Sequence, residues 1–152
     1  MPFQPPDPHY EERVRASFAR QPFMGLLGAQ LIAVGPGSCE IHLPYREDLG
    51  QQHGFFHAGT IATIADNAAG YAAYSLMDVG SSILTVEFKL NLLAPGNGTL
   101  LIARSQVIKP GRTLTVCLSD IAVLRNGEEK QCAVALVTLI QLAGKPDSPP
   151  SS

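Results

Sequence analysis

The chain has 152 residues, of which 45% are hydrophobic and 16% are charged. This is the usual length of one domain, and the apolar fraction excludes intrinsic disorder. Eleven basic and 13 acidic side chains give a net charge of −2. The excess of positive charge that is typical of nucleic-acid binding is therefore missing. We predict a single domain over residues 1–152 that does not bind nucleic acid.

The cysteines indicate a reducing compartment. There are three of them, an odd number, and none forms a CxxC pair, which argues against a disulfide framework and a zinc site. The first residues lack a basic segment followed by an apolar one, so no signal peptide is predicted. The longest stretch of small and apolar residues, 58–77, contains Asp66 and Asn67, which argues against a membrane span. We expect a cytoplasmic protein without a metal.

The first third of the chain predicts one helix and two strands. Proline-rich segments at residues 1–9 and 145–152 predict loose tails. A short helix is predicted over residues 10–20, where apolar side chains recur four positions apart. Two strands follow, over residues 26–34 and 38–45, around a Gly-Pro-Gly turn.

The longest predicted helix covers residues 58–76, and nine of its nineteen residues are alanine or glycine. Small side chains let a backbone approach its neighbours closely on all sides. We therefore expect a sheet to wrap around this helix.

The remainder of the chain predicts four strands. In the first, residues 84–92, large apolar residues alternate with polar ones, and Thr85 falls on the polar side with Glu87, Lys89 and Asn91. The next three strands follow turns at residues 95–98, 109–111 and 126–127. The first of them ends at residue 108, the second begins at residue 112 and the third ends at residue 142. Tight turns between such strands predict an antiparallel meander.

The element order as a whole predicts an α+β fold, in which an antiparallel sheet is wrapped around one long central helix. The exposed edges of such a sheet favour dimerisation.

The loop before the long helix is the first candidate site. It reads Gln-Gln-His-Gly-Phe-Phe-His-Ala-Gly over residues 51–59. Free backbone N–H groups at a helix start can polarise a carbonyl or hold an oxyanion. His57 lies at that start, and a simple capping or packing role for it is an equal alternative.

Asp66 is the second candidate, because it is a carboxylate in the middle of an alanine-rich helix. A buried carboxylate needs a partner, so it is hydrogen-bonded, functional or both. Nine residues separate it from His57, which places the two on opposite sides of an ideal helix. We therefore hypothesise a site shared by two chains across a two-fold axis.

Two further features have weaker signals. Thr85, at the start of a strand, could hold a water molecule or a carboxylate, although a strand threonine without a role is commoner. The turn formed by Lys109, Gly111 and Arg112 could bind phosphates through N–H groups and cationic side chains. Solvated turn charges are the more frequent alternative.

The segment Gly54, His57 to Asp66 and Gly70 resembles the HGG…D signature of hotdog-fold acyl-CoA thioesterases of the phenylacetate-degradation (PaaI-like) type. The resemblance extends from about Phe23 to Leu142. It implies a hotdog fold, hydrolysis of acyl-CoA thioesters to free acid and CoA, and no cofactor other than the CoA of the substrate. For the assembly, a homodimer and a tetramer built as a dimer of dimers both stay open, because the outer face of the predicted sheet shows no decisive pattern.

The same resemblance implies a role for each candidate. Gln51 matches a polar residue that positions the water or the thioester, and the Ala58 N–H matches the donor to the thioester carbonyl. His57 and Gly59 shape that turn. Asp66 of the partner subunit matches a general base or nucleophile, and Thr85 matches a residue that helps to hold the water. The turn at Lys109, Gly111 and Arg112 would lie near the CoA phosphates.

Two departures from the signature stand in the loop: Ala58 replaces the middle glycine and Gln51 replaces the usual asparagine. Two alternatives stay open. One is a hotdog dehydratase acting on hydroxyacyl thioesters, which also uses a His and an acid across a dimer, although this chain lacks the proline-containing His loop of that group. The other, which the two departures keep open, is a non-catalytic module that binds acyl-CoA or an aromatic ligand.

Overall fold

The computed structural model describes residues 3–149. The helices are α1 (Tyr10–Ala19), α2 (Pro22–Leu27) and α3 (Ala58–Tyr74), with a single 3-10 turn at Glu47–Leu49. The strands are β1 (Gln30–Gly35), β2 (Ser38–Pro44), β3 (Ser82–Leu92), β4 (Leu100–Lys109), β5 (Leu114–Arg125) and β6 (Glu128–Leu142).

One antiparallel sheet of six strands, in the order β1-β2-β4-β5-β6-β3, packs against α3. The alanines at 65, 68, 69, 72 and 73 of α3 are 1% exposed or less. Small side chains thus let the sheet approach the helix closely, and the α+β prediction of a sheet around a central helix is confirmed. Within residues 3–149 no helix is both long and apolar enough to cross a membrane.

The prediction of a strand from residue 26 is wrong at its beginning. Residues Pro22–Leu27 form α2, and β1 begins only at Gln30. Proline at the first helical position has its φ angle preset for a helix, and Gly28 ends the helix in the left-handed conformation at φ 77°. The helix over residues 10–20 is confirmed as α1.

The predicted four-strand meander is also wrong in one connection. β4, β5 and β6 are consecutive neighbours, but β3 pairs with β6 at the edge of the sheet instead of with β4. Residues 93–99 therefore cross the end of the sheet and do not form a hairpin. The Gly96 carbonyl accepts a hydrogen bond from the Phe56 N–H at 2.9 Å, which ties this connection to the loop before α3.

Thr85 does not lie on the polar side of β3. A β-bulge between Thr85 and Glu87 shifts the register, so that Thr85 pairs with the buried Leu139 and faces α3. After the bulge, Glu87 faces away from α3, and Phe88 pairs with the buried Val137 on the helix side. The extra residue inverts the simple alternation read from the sequence.

Contacts also reach into both ends that the sequence predicts to be loose. Asp7 is 5% exposed and pairs with Arg13 at 2.9 Å. Near the other end, the Asp147 carboxylate accepts a hydrogen bond from Arg20 at 2.9 Å. The three cysteines are buried and unpaired, and burial raises the pKa of Cys39 and Cys117 to about 12.

Candidate active site

Backbone hydrogen bonds fold the loop before α3 back on itself. The Gln51 N–H donates to the Phe55 carbonyl at 2.8 Å, and the Gly54 N–H donates to the Gln51 carbonyl at 2.9 Å. Gly54 has φ 77°, a conformation that favours glycine. Gly50 and Phe56 form a bridge that closes the loop. This closure presents Gln51 next to the first residues of the helix.

The side-chain amide of Gln51 has a defined orientation. Its Oε1 accepts a hydrogen bond from the backbone N–H of His53 at 2.6 Å. Because a backbone N–H can only donate, the facing atom has to be the oxygen. The Nε2 of Gln51 donates to no residue in the described part of the chain, so the amide is a potential donor to a substrate.

His57 caps the helix. Its Nδ1 accepts a hydrogen bond from the Gly59 N–H at 2.9 Å, while its backbone is extended, as expected for the residue that precedes a helix. Nδ1 therefore carries no proton, and the proton of a neutral ring lies on Nε2. A Cβ atom on residue 59 would lie 3.0 Å from this Nδ1, so a larger residue there would have to displace the His57 ring by a few tenths of an ångström. The structure thus shows His57 in the capping role that was one of its two alternatives.

The Ala58 N–H is left free by this arrangement. As the first helical residue Ala58 has no acceptor inside α3, and among residues 3–149 no other group accepts from it. Its side chain is exposed. The positive end of the helix dipole is therefore available with one unsatisfied donor.

A cavity of about 620 Å³ opens beside this N–H, and we call it the loop cavity. The loop, the first turn of α3 and the segment after β3 enclose it. Its polar side chains are those of Gln51, Gln52 and His57, and Ala58 also lines it. Its apolar lining comes from Phe55, Phe56, Ile61, Leu92, Leu93 and Pro95.

Asp66 lies elsewhere, half-buried in the middle of α3. Its Oδ1 accepts a hydrogen bond from the Thr85 hydroxyl at 2.7 Å. Burial raises the pKa of Asp66, and the hydrogen bond from Thr85 partly opposes that rise. Both residues line a second cavity of about 220 Å³, which we call the Asp66 cavity. A carboxylate with a raised pKa in a cavity is a candidate proton acceptor.

The two cavities share no residue. A single chain therefore brings Gln51, His57 and Ala58 together, and separately brings Asp66 and Thr85 together, but it does not join the two groups. The spacing of His57 and Asp66 on α3 predicts this separation.

The basic turn between β4 and β5 lies at the Thr85 end of the sheet, because Leu114 pairs with Ile140 and Ile140 pairs with Leu84. Lys109 and Arg112 are exposed and form no ion pair within residues 3–149. At Gly111 a Cβ atom would collide with the carbonyl oxygen of Leu114, so the turn requires glycine. No group of three or more potential metal ligands occurs in the described residues.

Sequence reasoning missed a set of polar residues around the Asp66 cavity. Gln21, Asn67 and Tyr71 are joined by hydrogen bonds between α3 and the link from α1 to α2. The position of Asn67 directly after Asp66 was the one feature of the sequence that could have indicated its place at this cavity. Gln21 belongs to no motif, so nothing in the sequence connected it with the site.

Comparison with known proteins supports a family assignment. The model of the Thioesterase superfamily matches residues 53–133. A crystal structure of a thioesterase family protein from Silicibacter pomeroyi is 49% identical, covers 89% of this chain and 99% of its own, and superposes with a TM-score of 0.88. The 1,4-dihydroxy-2-naphthoyl-CoA hydrolase of Listeria monocytogenes is 26% identical over 112 residues, which span 72% of this chain and 89% of that protein.

The fold is shared with the PaaI protein of the Escherichia coli phenylacetic acid degradation operon. The TM-score is 0.80 at 21% identity, with 90% of this chain and 96% of the other covered. The resemblance to PaaI-like hotdog thioesterases is confirmed by this shared fold and by the family match.

Proposed function

Since this chain belongs to the Thioesterase superfamily and is a thioester hydrolase, we propose that it hydrolyses acyl-CoA thioesters to free acid and CoA in an active site shared by two subunits. The observation that carries this proposal is the separation of the free Ala58 N–H from the Asp66 carboxylate within one chain. The loop cavity has a carbonyl-polarising donor without a base. The Asp66 cavity has a base without such a donor.

The edge strand β3 supports a dimer that joins the two. It is eleven residues long and pairs on one side only. Large apolar side chains along it are exposed, among them Val86 at 56% and Phe88 at 47%, and such an edge favours pairing with another chain. Antiparallel pairing of β3 with its copy, centred on Lys89, would set Glu87 opposite Asn91 and, across the bulge, Thr85 opposite Leu92 of the partner subunit. Because Leu92 lines the loop cavity and Thr85 contacts Asp66, this pairing would complete the site.

The proposed reaction begins with polarisation of the thioester. The carbonyl oxygen accepts hydrogen bonds from the Ala58 N–H and from the Nε2 of Gln51, at the positive end of the α3 dipole. His57 does not act as a base through Nδ1, because that atom accepts from Gly59. His57 and Gly59 instead maintain the turn that exposes the Ala58 N–H.

Asp66 of the other subunit takes a proton from water, and the water oxygen attacks the carbonyl carbon. Thr85 donates to Oδ1 and leaves Oδ2 to accept that proton. The tetrahedral oxyanion collapses with cleavage of the carbon–sulfur bond, and the CoA thiolate recovers the proton from Asp66. The raised pKa of Asp66 suits both proton transfers. Direct attack by the carboxylate is the alternative role of Asp66.

CoA is the proposed carrier because of the basic turn. Lys109 and Arg112 are exposed cations without ion-pair partners in the described residues, and Gly111 allows a tight turn between them. Phosphates are bound by such a combination of backbone N–H groups and cations. The CoA hydrolase from Listeria monocytogenes is consistent with this carrier. We also propose that the protein is cytoplasmic, since unpaired cysteines suit a reducing compartment.

The test is release of free thiol from acyl-CoAs of short, medium and long chain by the wild type, Asp66→Asn and Asp120→Asn. Asp120 is an exposed aspartate on β5 and serves as the matched carboxylate-to-amide control. We expect Asp66→Asn to lower kcat by about 10²- to 10⁴-fold and Asp120→Asn to leave it unchanged. Near-wild-type turnover by Asp66→Asn would refute the assignment of Asp66.

Two other outcomes decide between the alternatives. Hydration of an enoyl-CoA without thiol release would favour a dehydratase. Tight binding of acyl-CoA by the folded dimer without any turnover would favour a binding module. Ala58→Gly would then be the first variant to test for turnover.

A further inference from the structure

The segment after β6 runs to the end of α1 and lies against the Asp66 cavity. β6 ends at Leu142, and residues 143–144 form a turn. The Lys145 N–H donates to the Leu142 carbonyl at 3.3 Å across this turn. We call residues 143–149 the C-terminal strap.

One residue holds the C-terminal strap in place. Asp147 is half-buried, whereas the other residues of the strap are exposed. Arg20, at the end of α1, donates to the Asp147 carboxylate at 2.9 Å and to the Asp147 backbone carbonyl at 2.8 Å. We call these two contacts the latch. Because no other side chain of the strap is buried or half-buried, the position of the strap depends on the latch.

The C-terminal strap lies between two cavities. The Asp66 cavity, of about 220 Å³, adjoins an outer cavity of about 300 Å³, and both are lined by Ser17, Gln21, Ile83, Leu84 and Asp147. The rest of the outer cavity is lined by Arg20, Ser82, Pro146, Ser148 and Pro149. Asp147 is thus the one residue of the strap that borders both cavities. Displacement of the strap would join the outer cavity to the one that contains Asp66.

The latch is of a kind that opens readily. The side chain of Arg20 is 53% exposed and that of Asp147 is 30% exposed. An exposed ion pair contributes little to stability, and dissolved salt screens it. Among residues 3–149 no other cation pairs with Asp147. The strap therefore has a closed position that a small change in charge or ionic strength can weaken.

The closed strap limits what the Asp66 cavity can hold. Its volume of about 220 Å³ corresponds to roughly seven non-hydrogen atoms, at the volume that a water molecule occupies. A longer chain needs the outer cavity, and Asp147 lies between the two. Ile83, Leu84 and the strap prolines give the outer cavity apolar surface, which suits an alkyl chain.

We propose that the C-terminal strap is a gate on the Asp66 cavity, and that Arg20 and Asp147, which form its latch, determine how long an acyl chain the site accepts. While the latch is closed, the chain has to end at Asp147. When the latch opens, the strap moves aside and the chain continues into the outer cavity. Arg20 and Asp147 take no part in the chemistry. This inference rests on the proposed acyl-CoA hydrolysis.

The first experiment compares hexanoyl-CoA with decanoyl-CoA at one ionic strength, so that the attraction of the CoA phosphates stays constant. Arg20→Gln and Asp147→Asn each remove one charge of the latch. We expect each variant to raise the ratio of kcat/KM for decanoyl-CoA to that for hexanoyl-CoA by about 2- to 5-fold, the gain in open strap expected from loss of an exposed ion pair. The double variant should show no larger rise, because either change alone already removes the pair.

Arg15→Gln is the matched control. Arg15 is also an exposed arginine of α1 and pairs with a carboxylate, that of Glu11 at 2.8 Å, but it lines neither cavity. The ratio in this variant should equal that of the wild type. An equal rise in Arg15→Gln would show that loss of any charge on α1 changes the chain-length preference, and it would overturn the role of the latch.

A spin label reports the position of the strap without any substrate. Ser148→Cys adds a thiol to the exposed strap, and it is the thiol that reacts because Cys39, Cys117 and Cys132 are buried. We expect the EPR spectrum of a nitroxide at this position to contain an immobile and a mobile component. The mobile component should grow with NaCl, which screens the latch. With Arg20→Gln added, it should start higher and no longer depend on salt.

The outcomes separate this inference from the proposed function. A mobile component that neither NaCl nor Arg20→Gln changes would overturn the latch. A strap that opens without any change in the ratio of decanoyl-CoA to hexanoyl-CoA hydrolysis would overturn the gate and leave the hydrolase intact.

Absence of all hydrolysis would overturn the proposed function, and binding would then decide the gate. The ligands are ketone analogues of the two thioesters, in which a methylene group separates sulfur from the carbonyl. A ratio of decanoyl to hexanoyl affinity that rises in Arg20→Gln would support the gate, and an unchanged ratio would refute it.

Discussion

Replacement of Thr85 by valine should move the acid limb of the pH–rate profile to higher pH. Burial raises the pKa of Asp66, and the hydrogen bond from Thr85 opposes that rise by stabilising the charged carboxylate. Valine has nearly the same shape as threonine but cannot donate. A base must be unprotonated, so activity is lost as the pH falls through the pKa of Asp66 in the folded protein. In the variant this loss begins at a higher pH.

The size of the shift follows from the energy of the lost bond. A hydrogen bond to a charged group contributes about 1.5–3 kcal/mol, and one pKa unit corresponds to about 1.4 kcal/mol. Because Asp66 is only half-buried, solvent screens part of this energy. We therefore expect the lower end of the range, a shift of about one pH unit.

The assay is kcat/KM for hexanoyl-CoA from about pH 4 to about pH 9, a range that brackets the titration of a raised carboxyl pKa. Thr138→Val is the matched control. Thr138 also contacts a carboxylate, that of Glu87 at 3.4 Å, but on the face of the sheet that points away from α3. A lower kcat in Thr85→Val with an unchanged acid limb would refute the argument that Thr85 acts on the charge of Asp66.

Three further predictions test the site and its assembly. Asp66→Asn should raise Tm at pH 7, because a carboxylate whose pKa is higher in the folded than in the unfolded protein destabilises the fold at any pH above both pKa values. Calorimetry should show that this gain in Tm shrinks in acid, and a pH-independent gain would contradict the argument. His57→Ala should lower the free energy of unfolding by about 1 kcal/mol, because the helix loses the cap that accepts the Gly59 N–H. An unchanged urea midpoint would argue against it. Phe88→Lys on β3 should yield inactive monomers in sedimentation experiments, and active monomers would exclude a shared site.

Elements with local signals could be predicted from the sequence. The alternation in β2 places Cys39, Ile41 and Leu43 in the core, as expected from a period of two. Asn126 and Gly127 have φ angles of 53° and 79°, the conformation that an Asn-Gly hairpin turn requires. The alanine-rich stretch forms the enclosed helix α3. In each case the residues that determine the conformation lie within the element itself.

Non-local features could not be predicted in this way. The position of β3 beside β6 depends on pairing between residues about 50 positions apart, and no turn signal specifies it. The bulge after Thr85 is invisible in a hydrophobic pattern, yet it reverses the side to which Thr85 points. For α2 the signals were present in Pro22 and Gly28, but apolar residues around them also fit a strand.

The candidate site likewise has a part that local sequence predicts and a part that depends on contacts between distant residues. His57, Ala58 and Asp66 lie on one helix, so their spacing alone predicts that two chains are needed. The wall of the Asp66 cavity depends instead on hydrogen bonds between residues 46 and 50 positions apart. Gln21 contributes to it only because α1 and α2 fold across α3. Residues 17–21 therefore reach this cavity only through the packing of the N-terminal helices on α3, whereas the loop at 51–59 and Asp66 carry a signature that is local in the sequence. The family can be recognised from that local signature, but the composition of the Asp66 cavity cannot.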